Sequence, residues 1–254
     1  MIDHYLFLPL VITLVAAIST GIGSLIPIFF KNFNRKILIF SLGLAAGVMI
    51  FISFGELLPE AVEDIGMTKA FVAFFIGVGF MMLLDFLIPH KYIEEEHFKK
   101  DNENKKIKRA GLLVALGVAI HNLPEGIAVF MSSVIDIELG IALAVAIAVH
   151  NIPEGIAISA PIYYSTKSRA KAFWYSFLSG MAQPLGAVIA AIFFINFMTP
   201  VILAYTLAFV AGIMIFISFD EILPITFKDS GEEHLSITGL FIGMLIMAIT
   251  LIFI

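Results

Sequence analysis

His121-Asn122-Leu123-Pro124-Glu125-Gly126 and His150-Asn151-Ile152-Pro153-Glu154-Gly155 are one phrase written twice, each time inside an apolar run. Residues four apart share a helix face, so each copy points an imidazole and a carboxylate the same way. Ionisable groups in the middle of a membrane-length segment are costly and mark a substrate or ion pathway. Two carboxylates at mid-depth cost roughly 5–7 kcal/mol on translocon scales, and a bound dication would offset much of it. Pro124 and Pro153 lack an N–H, which frees the carbonyls of Ile120 and Val149 and bends the helix. Gly126 and Gly155 permit close helix approach. Neutral imidazole with carboxylate oxygen suits zinc, iron(II), manganese or cobalt, and Asn122 and Asn151 add neutral oxygen donors. Such ligands bind only when deprotonated, which predicts pH-dependent binding. One copy alone reads equally well as a structural kink with a hydrogen-bonded glutamate. Two copies on antiparallel helices favour a cation site.

The chain around the phrases is membrane-like. It has 254 residues, 60% hydrophobic and 14% charged, with a mean hydropathy of +1.03. Soluble domains run nearer 45–50% apolar and about 25% charged. There is no cysteine, which excludes disulfides and thiolate metal sites. The first apolar run follows an acidic start, Met1-Ile2-Asp3-His4, and is long enough to span, so it reads as a retained helix rather than a cleaved signal. Runs of roughly 20 apolar residues give eight spans, at 6–29, 37–58, 70–89, 110–131, 138–162, 172–197, 201–224 and 235–254. Ile135-Asp136-Ile137-Glu138 separates the fourth and fifth, and only Asn196, Thr199 and Pro200 mark the turn between the sixth and seventh. The fold expected is an all-α polytopic membrane protein with one transmembrane domain over 1–254. Of the 15 Lys and Arg, 14 fall in the loops after spans one, three, five and seven, and only Lys69 lies elsewhere. The positive-inside rule then places both termini outside the cell and the charged 90–109 loop in the cytoplasm.

Ala46 to Pro59 recurs as Ala211 to Pro224, with 11 of 14 positions identical at an offset of 165. Phe75-Ile76-Gly77 is echoed more faintly by Phe241-Ile242-Gly243. The second and seventh spans are an odd number apart and run in opposite directions, as do the fourth and fifth. One inverted pseudo-two-fold axis in the membrane plane relates spans 1–3 to 6–8 and span 4 to span 5, and transporters built this way carry their site near mid-depth.

With both phrases and eight spans in hand, the chain resembles the ZIP (Zrt-, Irt-like) metal-ion transporter family, in its bacterial ZupT-like branch, over essentially its whole length. The resemblance implies uptake of divalent transition metals into the cytoplasm across the plasma membrane. Zinc (Zn2+) comes foremost, with iron (Fe2+), manganese (Mn2+), cobalt (Co2+) or cadmium (Cd2+) tolerated. It also implies a homodimer and a two-ion site between spans four, five and six. By motif, the ligands are His121, Asn122, Glu125, His150, Asn151 and Glu154. Glu125 and Glu154 bridge the ions, His150 favours one and the asparagines the other. In the sixth span Ser179-Gly180-Met181-Ala182-Gln183-Pro184-Leu185-Gly186 matches the family phrase, except that Gln183 stands where the branch carries Glu. An amide offers an oxygen without charge, which predicts a weaker second ion or a one-metal site.

Other polar positions carry less. Glu56, Asp220 and Glu221, with Ser53 and Ser218 deeper, either line the two mouths or are interfacial residues before helix-ending Pro59 and Pro224. Met49 and Met214 read as packing, Asp85 as interfacial, and His4 and His234 as surface residues. The 90–109 loop, including Glu94-Glu95-Glu96-His97, reads as a solvated charged linker rather than a metal-sensing segment. The partners expected are divalent ions and the lipid bilayer, with no nucleic acid. No G-x-x-x-x-G-K-[ST] phosphate loop is present, so ATP is not the direct drive. An intramembrane metalloenzyme is the rival class, but the H-E-x-x-H arrangement is absent and an enzyme does not need an inverted duplication. Carrier and channel are separated by saturation and temperature dependence of flux, which the residues do not encode.

Overall fold

A computed structural model of the chain describes residues 4–30, 34–87, 101–194, 199–227 and 231–253. Among these there is no strand, and eight segments are long and apolar enough to cross a membrane. They are Leu6–Phe29, Arg35–Ile65, Met67–Leu87, Gly111–Ile135, Ile137–Thr166, Arg169–Phe193, Pro200–Phe227 and Glu233–Phe253, called here the first to eighth spans.

Short polar side chains set the turns. Asn34, Asp136, Ser168 and Thr199 precede the second, fifth, sixth and seventh spans, and each side-chain oxygen accepts a backbone N–H of the first turn. Asp136 Oδ1 takes two, from Glu138 at 2.8 Å and Leu139 at 3.3 Å. Capping of this kind satisfies donors that a helix start leaves unpaired. Thr199 is followed by Pro200 in the first helical turn, where proline's fixed φ fits, so the sparsely marked turn after the sixth span is well specified. Gly66, at φ 82°, closes the tight turn between the second and third spans. Lys36 Nζ lies 3.2 Å from Glu232 Oε1, which places the turns after the first and seventh spans at one end of the bundle.

Three expectations need correction. Pro59 and Pro224 do not end their helices, which run on to Ile65 and Phe227. Each proline follows a widened turn, Ser53–Leu57 or Ile217–Ile222. There the N–H of Leu58 or Leu223 reaches five residues back, to the carbonyl of Ser53 or Ser218. A turn of that width accommodates the missing proline donor without a break. Second, the helix carrying the fourth span starts at Asp101, so 101–109 is helix rather than linker. Once nucleated by the apolar span, a helix adds a hydrogen bond for each further residue, and Glu, Lys and Arg propagate it readily. Residues 88–100, with Glu94 to His97 among them, lie outside the described residues, as do Asn196 and the side chain of His4. Third, the sixth span is interrupted at Met181, between the helices Arg169–Gly180 and Ala182–Ile189.

Packing sorts the spans into two groups. The first packs most extensively on the fifth, and the fourth on the fifth and sixth. The second packs on the eighth, and the third on the seventh, and the groups meet where the second packs on the fifth and the fourth on the seventh. Exposed Phe71, Phe75 and Phe86 of the third span, and Phe241, Leu245 and Phe253 of the eighth, form an apolar outer surface suited to lipid. Met49 and Met214 are buried within the apolar core.

Candidate metal centre

The fourth and fifth spans are joined by the Asp136 turn and run antiparallel, which lays their prolyl phrases side by side. His121, Asn122, Glu125, His150, Asn151, Glu154 and Gln183 are all buried, none more than 1% exposed. None faces lipid.

The imidazoles and carboxylates pair crosswise. His121 Nε2 and Glu154 Oε1 share a hydrogen bond of 2.6 Å. His150 Nε2 lies 3.0 Å from Glu125 Oε1, without hydrogen-bond alignment, and 3.8 Å from Glu154 Oε1 on its own helix. Each helix thus answers the other's histidine with its glutamate. The four groups are buried between the two spans and pair across them, but no three of them bring one ligand atom each within 4.8 Å of one another.

The amides sit to one side. Asn151 Nδ2 donates to Gln183 Oε1 and to the Ala16 carbonyl, each at 2.9 Å. Asn122 Nδ2 lies 3.4 Å from the Ser179 carbonyl. Ser179 Oγ donates to the Ala115 carbonyl at 2.6 Å, and Ser176 Oγ to the Gly155 carbonyl at 3.2 Å, tying the sixth span to the fourth and fifth. Gly126 stands against the Gln183 backbone, where a Cβ would collide with the carbonyl, and Gly155 stands likewise against Thr20. These glycines bring the fourth span onto the sixth and the fifth onto the first.

The centre is under-satisfied. His121 Nδ1, both His150 ring nitrogens, both Glu125 oxygens, Glu154 Oε2, Asn122 Oδ1, Asn151 Oδ1, Gln183 Nε2 and Thr20 Oγ1 are buried without a hydrogen-bond partner. Folded proteins leave few buried polar atoms unpaired, and nine of these ten belong to the two phrases and Gln183. Two imidazoles and two carboxylates fit a divalent transition metal.

Away from this centre, Asp85 of the third span meets Asp220 and Glu221 of the seventh, with one oxygen of each within 4.8 Å of the others. The first span's part in the centre, through Ala16 and Thr20, has no counterpart in the sequence reading. That span has no ionisable residue, and a carbonyl acceptor leaves no compositional trace.

The family model described as ZIP zinc transporter matches residues 89–251. Three relatives, each described as zinc transporter ZupT, align along almost the full length. That of Akkermansia muciniphila is 47% identical over 98% of both chains. That of Chlorobium limicola is 46% identical over 96% of both, and that of Streptococcus mutans 45% identical over 98% of both.

Proposed function

The chain belongs to the ZIP family of zinc transporters, and from that premise we propose that it takes zinc into the cytoplasm through the His/Glu centre between its fourth and fifth spans. It is a multi-pass membrane protein that transports divalent metal, and it is not an enzyme. The crosswise pairing of His121 with Glu154 and of His150 with Glu125 carries the site assignment. With neutral imidazoles the four side chains hold a formal charge of −2, which one dication cancels. Gln183 adds none, and its oxygen is engaged by Asn151. The centre therefore holds one ion tightly, with Asn122 and Asn151 as neutral oxygen donors at its edge and Gln183 holding Asn151 in place. Iron, manganese, cobalt and cadmium share enough of zinc's ligand chemistry to compete.

Transport follows from relative movement of the two helix groups. The described glycines that press on another span's backbone do so within one group. Gly126 and Gly186 meet the Gln183 and Leu123 carbonyls, while Gly47 and Gly212 meet those of Leu240 and Phe74. Between the groups, the atoms nearest to a Cβ at Gly117 are side-chain atoms of Ile217 and Met81. Glycines lock each group at backbone distance, and none described does so across the seam, where the second span packs on the fifth. Rocking or sliding along that seam exchanges the site's access between faces. The segregated basic residues support termini outside and the 90–109 segment inside, in the plasma membrane, and the family supports a homodimer.

Zinc uptake into sealed proteoliposomes tests the assignment. Glu154→Ala and His150→Ala are each expected to lower zinc flux more than about 100-fold, since residues merely supporting a ligand already cost 10–100-fold. Retained flux in both variants would defeat it.

A further inference from the structure

Thr20 lies on the first span, which supplies neither imidazole nor carboxylate. Its hydroxyl is fully buried and has no hydrogen-bond partner. A threonine or serine inside a helix ordinarily donates to the carbonyl four residues back. Thr13, Ser53, Ser159 and Ser218 all do so here. The carbonyl due to Thr20 is that of Ala16, and it is already engaged by Ser19 Oγ and by Asn151 Nδ2. The Thr20 hydroxyl instead lies against the sixth span, where a Cβ on Gly180 would meet Thr20 Oγ1 at 2.9 Å. Gly180 carries the carbonyl that Pro184 leaves without its helical donor, and it stands one turn before Gln183. Thr20 is therefore one helical turn from the carbonyl that holds Asn151, and beside the span that holds Gln183.

Unpartnered atoms on the first, fourth, fifth and sixth spans are chemically complementary. Gln183 Nε2 offers donors, Asn122 Oδ1 and Asn151 Oδ1 are acceptors, and Thr20 Oγ1 is both. None is charged, and the two glutamates match a single dication. What satisfies this side is therefore neutral, and a buried water typically makes about three such hydrogen bonds.

We propose that Thr20 is a positioning residue that holds an ordered water on the amide side of the centre, and that this water tunes which divalent ion the centre prefers. The inference rests on the metal-site reading above. A water ligand raises the ion's coordination number and its share of hard oxygen. Manganese is suited by carboxylate, carbonyl and water, whereas zinc is content with four ligands. Removing the hydroxyl costs manganese more than zinc.

Competitive manganese and zinc binding to the purified full chain reads the effect. Thr20→Val keeps the side-chain shape and deletes the hydroxyl, and Thr20→Ser keeps the hydroxyl. The manganese-to-zinc affinity ratio is expected to fall roughly ten-fold in Thr20→Val, the scale of losing a partner of a metal ligand, and to return in Thr20→Ser. An unchanged ratio in Thr20→Val, or an equal fall in Thr20→Ser, overturns the proposal. The wild-type chain loaded with cobalt gives a second readout that needs no variant. Weak visible bands of a five- or six-coordinate ion are expected, and intense tetrahedral bands overturn the proposal. Glu154→Ala separates the two levels. If it binds zinc like the wild type, the centre itself is misplaced; if it loses zinc while the Thr20→Val ratio stays put, only the role of Thr20 falls.

Discussion

Gln183 decides how many ions the proposed centre takes. Its neighbours already supply two carboxylates and two imidazoles, a match for one dication in a buried setting where uncompensated charge is expensive. Gln183→Glu adds a third carboxylate beside Asn122 and Asn151, making an oxygen-rich pocket charged enough for a second ion. Equilibrium dialysis with zinc is expected to rise from one ion per chain to two, and an unchanged stoichiometry would count against the one-ion reading. Gln183 was legible only through the resemblance of the sixth span's phrase, whereas the joint burial of His121, Glu125, His150 and Glu154 was legible from a doubled His-to-Glu spacing of four set in apolar runs. Their pairing was not legible. Helix periodicity aligns His121 with Glu125 on one face, yet His121 bonds Glu154 of the neighbouring helix, since two antiparallel phrases packed face to face offer each imidazole a closer carboxylate across the gap. The Asn151–Ala16 bond joins residues 135 apart in the chain, and no local pattern reports a contact of that range.

Among elements, the glycine contacts set how closely helices meet, and they differ sharply in what a methyl would do. Gly126→Ala drives a Cβ into the Gln183 carbonyl, a backbone atom that cannot turn aside. Overpacking of this kind costs typically 1–3 kcal/mol, and it moves the sixth span off the fourth. Gly79→Ala places its methyl where nothing lies within 4 Å, so the gain in helix propensity, up to about 1 kcal/mol, is unopposed. Thermal unfolding in detergent should show Gly126→Ala lowered, with weakened zinc binding, and Gly79→Ala unchanged or raised. A Gly126→Ala chain as stable as the wild type would mean that the close approach is not needed. Asp136 and the Thr199-Pro200 pair were legible only as breaks between spans, and their side chains turn out to cap the helices that follow. Pro59 and Pro224 misled because a proline terminates a regular helix, whereas a widened turn just before it leaves the helix intact. That widening depends on bonds five residues apart, for which sequence spacing offers no sign.

For the molecule as a whole, the question is whether the seam between the two helix groups moves. Gly117 lies four residues before His121 on the fourth span, so it belongs to the group that carries the ligands. Ile217 on the seventh span belongs to the other group. A Cβ at Gly117 would stand 3.3 Å from Ile217 Cγ1, close to where the sulfur of a cysteine at 217 would sit, and within the reach a disulfide requires. The chain has no cysteine of its own, so Gly117→Cys with Ile217→Cys offers only one intramolecular pairing. Oxidation fixes the groups in this arrangement without touching His121, Glu125, His150 or Glu154. The oxidised double variant is therefore expected to bind zinc but not to carry it into proteoliposomes, and reduction should restore flux. A static pore would behave differently, because a bridge across its wall leaves the path open. Full zinc flux through a completely cross-linked protein would thus rule out movement along this seam and favour conduction through a fixed channel.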